Sequence, residues 1–128
     1  MGLDIQVDTV SFRAGSYSGF HDFRKWLARQ ALGIDLTSMD GFGGTTPWAS
    51  LTLPAEMKGL PILLSHSDCD GDITPSQAKE LLVALEAYKD GAGVLRVPNQ
   101  VEYYWGNIDE WIEACRISIA KRKRIIFS

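Results

Sequence analysis

Pro61–Tyr88, PILLSHSDCDGDITPSQAKELLVALEAY, holds a short apolar run, an acidic turn and a helix whose start is fully signalled. Leu60–Leu64 reads as a strand, and Pro61 restricts it to a sheet edge or to a first strand position. Thr74 is an N-cap, Pro75 fits the first helical position and Gln77 completes a capping box. Ala78, Leu81, Leu82 and Leu85 then share one helix face, with Lys79, Glu80, Glu86 and Lys89 outside, until the helix ends near Tyr88–Gly91. A strand, a turn and an amphipathic helix in sequence point to an α+β domain.

Before this segment, Leu3, Ile5 and Val7 alternate with Asp4, Gln6 and Asp8, which predicts a half-buried strand over Gly2–Phe12. Val10 and Phe12 fit its parity only across a bulge or turn. Arg13–Gly19, RAGSYSG, reads as a loop, flanked by Arg13 and Tyr17, whose amides and hydroxyls could cradle an anion. Ser18 is the expected cap of a helix from about Gly19 to Leu32, with Phe20, Phe23, Trp26 and Leu27 inward, Arg24, Lys25 and Arg29 on the wet side, and Gly33 as its stop. His21 in its first turn reads as solvated. Residues 34–59 include MDGFGGTTPW and show no period, so they read as a long loop with a short strand at Ala49–Leu53. Phe42 and Trp48 either fold onto the core or line a groove.

After it, Val94–Pro98 is a strand candidate. A helix from about Gln100 to Lys121 carries Val101, Tyr104, Ile108, Trp111, Ile112, Cys115 and Ile119 at helical spacing. Gly106 interrupts it, and Asn107 could cap a fresh start. Its apolar face is core, or a homodimer seam. The basic run Lys121–Arg124 suits a helix end, and Ile125–Phe127 could return as a last edge strand. Together these predict one domain over residues 1–128: about three helices on one face of a small, mostly antiparallel sheet.

Composition agrees. The 128 residues are 45% apolar and include four tryptophans and five phenylalanines, enough for a core without staples. The net charge of −3 conceals an asymmetry: residues 1–115 hold sixteen acidic and eight basic side chains (−8), and residues 116–128 hold five basic ones (+5). An acidic body argues against a nucleic-acid partner. No apolar run reaches a membrane-spanning length and no leader pattern opens the chain, so a cytoplasmic protein with Cys69 and Cys115 as thiols is expected.

The chemistry concentrates at His66–Asp72. DCDGDI resembles the calcium loop of EF-hand modules: with Gly71 as its central glycine, Asp68, Asp70 and Asp72 fall at its third, fifth and seventh positions. His66 stands where that loop has aspartate, and Gln77 where it has its bidentate glutamate. The alternatives are a cation, Ca²⁺ or Mg²⁺, on Asp68, Asp70 and Asp72; an Asx-type turn satisfied by its own backbone; or a zinc or hydrolytic set of His66, Asp68 and Cys69 completed by His21 or Cys115. The aspartates beside Cys69 disfavour a thiolate nucleophile.

MGLDI, GSYSGF and FRKWLA together look like a group of small uncharacterised bacterial and phage proteins that open MGLD and carry a GSYS–phenylalanine–arginine block. That block is similar to one in a bacterial toxin-immunity family. The resemblance spans Met1–Leu27, rests on Gly15, Ser16, Tyr17, Ser18, Phe23 and Arg24, and implies inhibition of a partner protein, with no catalytic residues. The leading expectation, resting on the sixteen acidic residues of positions 1–115 and on the Asp68–Asp70–Asp72 cluster, is a protein-binding or inhibitory protein sooner than an enzyme, monomeric or homodimeric. Its acidic surface would be built on Asp68, Asp70, Asp72 and His66, with Tyr17, Arg13 and Trp48. A divalent-cation-binding protein or metal-dependent hydrolase using the 66–72 turn, and a structural domain without an active site, are the alternatives.

Overall fold

A computed structural model describes residues 2–67, 70–90 and 98–128, with side chains for all of these except 98–106. The expected first strand is a hairpin. β1 (Gly2–Val7) pairs antiparallel with β2 (Val10–Ser16) around Asp8–Thr9, which explains the parity change at Val10. The segment read as a loop, Arg13–Gly19, is strand as far as Ser16. A register shift at Leu3/Asp4 and a positive φ of 114° at Gly15 let β2 continue. Ser16 rather than Ser18 therefore caps α1 (Tyr17–Leu27), its Oγ accepting from the Gly19 amide at 3.0 Å. α1 widens into a π-helical turn over Ala28–Leu32 and stops at Gly33 with φ 68°.

Two expected strands are not strands. Leu60–Leu64 forms a helical turn, α2 (Pro61–Leu64). Pro61 suits the first helical position, and Leu60, Leu63 and Leu64 are buried at spacings of three and four. Ala49–Leu53 begins inside a 3₁₀ turn (Trp48–Ser50) and continues outside any sheet. β3 (Asp72–Ile73) leads into α3 (Pro75–Lys89), where the capping box on Thr74 and Gln77 is complete. α4 (Pro98–Lys121) runs unbroken through Gly106, so no helix restarts at Asn107. The strand expected at Val94–Pro98 falls largely on residues 91–97, outside the described residues; Pro98 itself begins α4.

β4 (Ile125–Phe127) is not an edge strand. The sheet order is β2-β1-β4-β3, antiparallel throughout. Phe127 lies opposite Ile5, and Ile126 lies between Gln6 and Asp72. Asp4 and Ser128 exchange backbone hydrogen bonds at 3.0 and 2.9 Å. Ile125 and Phe127 point inward and Ile126 outward, a two-residue period that fits a half-buried sheet.

α1 and α4 cover one face of the sheet, and α3 packs along α4. Leu3, Ile5, Val7, Ile73, Ile125 and Phe127 meet Phe20, Phe23 and Leu27 of α1 and Ile108, Trp111 and Cys115 of α4 in one core. Trp111, 1% exposed, has ring centroids of Phe12, Phe127 and Phe20 at 5.5, 5.6 and 5.9 Å. The described part of the α4 apolar face is thus core. No helix among the described residues is long and apolar enough to cross a membrane. Trp111→Ala should destabilise the fold by about 3–5 kcal/mol in urea unfolding. Val83→Ala, at a site 51% exposed, should change it by less than about 0.5 kcal/mol.

Candidate functional site

The bend after α2 is shaped by its own backbone. Ser65 Oγ donates to the Pro61 carbonyl at 2.6 Å, and the chain then turns towards β3. The His66 ring lies over Phe127, centroids 3.8 Å apart and planes 22° from parallel. Its Nε2 is 2.8 Å from the Asp72 carbonyl and its Nδ1 is 2.9 Å from the Ser67 carbonyl. Gly71 has φ 91°, and a side chain there would start 3.2 Å from His66 Cε1. The Gly71 carbonyl accepts from the Phe127 amide at 2.9 Å. His66 is thus a clasp between the bend and the sheet.

Two of the three carboxylates of the bend, Asp70 and Asp72, belong to the described residues. Asp72 is paired with Arg124, Oδ2 to Nη1 at 2.9 Å. Asp70 is exposed, and its amide donates to Ser67 Oγ at 3.4 Å. Asp68 and Cys69 lie outside the described residues. Among the described residues no group of three His, Cys, Asp or Glu side chains is placed to hold a metal ion. Cys115, considered above as a distant ligand, is buried in α4. Burial, reinforced by the Glu86 charge, pushes its thiol from the ordinary 9.0 up to about 12.

A cleft of about 390 Å³ opens beside the bend. α1 contributes His21 and Arg24, the loop contributes Asp40, Gly41 and Phe42, and the bend contributes Ser65, His66 and Ser67. Arg24, expected on the wet side of α1, is only 2% exposed. Its Nη1 donates to the Leu64 carbonyl at 3.3 Å and to the His66 carbonyl, while its guanidinium covers Phe20 at 4.4 Å and Phe42 at 5.1 Å. The cation thus serves carbonyls at the end of α2, where the chain leaves the helix. Its spacing was a usable signal: Arg24 stands four residues after Phe20 and three before Leu27, on the buried stripe.

The irregular stretch is folded. Parallel bridges join Met39 to Thr46 and Asp40 to Gly44. Gly44 approaches so closely that a Cβ would lie 2.1 Å from the Ser38 carbonyl. Phe42 stacks on His21 at 6.0 Å and meets Trp48 edge-on at 6.1 Å, while Trp48 Nε1 donates to the Asp40 carbonyl at 3.1 Å. His21 is therefore half-buried against Phe42 instead of simply solvated.

The described residues among those singled out from the sequence fall in several places. His66 lines the cleft, Trp48 braces Phe42 at its wall, and Asp70 stands on the bend. Arg13 pairs with Asp4 at 2.6 Å on the helix-free face of the sheet, where Asp72 meets Arg124. Tyr17 opens α1 and does not line the cleft. Sequence reasoning missed Arg24, Asp40, Ser65 and Ser67 as cleft residues.

Arg24→Met should cost about 3 kcal/mol in chemical unfolding, because two carbonyls lose a charged donor; Arg24→Lys, lacking the planar fork, should recover less than half of that loss. The raised Cys115 thiol favours the fold fully below its unfolded value near 9. That stability is lost as pH rises towards about 12. Thermal unfolding should show a steeper alkaline decline for the wild type than for Cys115→Ala. Comparison with protein-family models, curated proteins and solved structures gives no match to this chain.

Proposed function

We propose that this chain is a non-catalytic binding domain that holds a basic protein partner across the mouth of the cleft. The observation that carries this reading is exposed Asp40 in the cleft lining, with exposed Asp70 further along the bend, its amide on Ser67 Oγ, and the half-buried Phe42–Trp48 pair of the loop at the cleft wall. These two carboxylates would steer and orient a cationic surface, and the aromatic pair would supply apolar area. A binding role also suits His66, whose ring nitrogens both face backbone carbonyls and whose ring is stacked on Phe127, an arrangement poorly suited to proton transfer in the cleft. Inhibition of the bound partner, as the GSYS block implies, is the form of binding we favour.

Affinity capture with the purified chain should retain a specific basic protein in a salt-sensitive manner. The double variant Asp40→Lys/Asp70→Lys should weaken that complex at least tenfold, an effect of about 1.4 kcal/mol. Glu80→Lys, on the exposed side of α3, should leave it intact. A partner held equally well by the double variant would refute the reading.

A further inference from the structure

Opposite in sign to the cleft rim is the turn that leaves α4. Lys121, Arg122, Lys123 and Arg124 are all exposed, and the turn is fixed. Ser118 Oγ donates to the Lys123 carbonyl at 2.5 Å, and the Lys123 amide donates to the Ser118 carbonyl at 3.2 Å. A surface depression of about 510 Å³ beside it is lined by Gln6, Asp8, Arg122, Lys123, Arg124 and Ile126. Arg124 is engaged by Asp72. Arg122 and Lys123 enter no ion pair with the described residues. Ile126, on the helix-free face of the sheet, is 42% exposed.

The backbone supplies a second, independent sign. Among the described residues, only Asp8 (φ 54°) and Arg122 (φ 57°) are non-glycine residues with left-handed backbone, and both line this depression. Aspartate is tolerated in a two-residue hairpin turn. Arginine at a helix end is strained where glycine would not be, and such strain points to a use for the side chain.

We propose that this depression is a second docking surface, which takes a short acidic segment of a protein partner: carboxylates on Arg122 and Lys123, and an apolar residue on Ile126. The charge distribution decides between a short acidic segment and a long polyanion. Asp8 lies in the depression itself, and the rest of the chain carries a net −8 over residues 1–115. A nucleic-acid duplex would extend over that body. A short peptide would stay within roughly a Debye length, about 8 Å, of the two cations.

The test uses the whole chain and a labelled five-residue peptide of glutamates with a central leucine, read by fluorescence anisotropy. Salt-sensitive binding is expected, weakened at least fivefold by Lys123→Ala and by Arg122→Gly and strengthened by Asp8→Asn. Arg122→Gly should at the same time raise Tm by about 3 °C through relief of backbone strain, so a loss of binding cannot be ascribed to unfolding. Three results would overturn the proposal: Arg122→Gly binding the peptide as the wild type does, no peptide binding by the wild type, or tighter binding of a DNA duplex or of anionic vesicles than of the peptide.

Discussion

Phe127 holds the molecule together from the second-last position of the chain. Its backbone lies opposite Ile5 of β1, and its amide donates to the Gly71 carbonyl on the other side. Its ring packs against Trp111 and Phe20 below and is covered by His66 at the bend. Among the described strands β3 pairs with β4, so the bend that bounds the cleft is tied to the sheet through Ile125–Phe127. Strand pairing between the two ends of the chain, not the local turn, sets where the bend stands relative to α1.

Arg24 is the corresponding constraint on the other wall. A buried guanidinium is costly unless its donors find acceptors. Here the carbonyls of Leu64 and His66 supply them, and Phe20 and Phe42 face its π-surface. One side chain thus ties α1 to the end of α2 and to the glycine-rich loop. The loop keeps its shape through the Met39–Thr46 and Asp40–Gly44 bridges and the stack of His21, Phe42 and Trp48. The cleft is consequently framed by packed elements, although one wall has no helix or strand of useful length.

Electrostatics changes character once the chain is folded. The acidic body and basic tail partly cancel where they meet, in the Arg124–Asp72 and Arg116–Glu86 pairs. Such exposed pairs contribute little stability, typically below about 1 kcal/mol each. They do determine which charges stay available. Asp40 remains exposed at the cleft and Asp70 on the bend, while Arg122 and Lys123 remain exposed beside the hairpin turn, so a weakly acidic chain keeps exposed charges of opposite sign in different places.

Local chemistry was legible wherever a few adjacent residues decide the outcome. Thr74, Pro75 and Gln77 specified the start of α3, the alternation of Leu3, Ile5 and Val7 specified β1, and the α+β class followed from these signals. Pro61–Leu64 was misread because a four-residue apolar run carries no period long enough to separate strand from helix. The site was less legible than the fold. His66 was visible by residue type, but its association with Arg24, Asp40 and Phe42 joins segments up to about forty residues apart and has no sequence spacing to betray it. The sequence by itself determined which segments are amphipathic and where they begin. Only the tertiary structure decided that β4 lies inside the sheet, that Arg24 is buried and that Asp72 is paired, because each of these depends on partners brought together by packing and not by the chain.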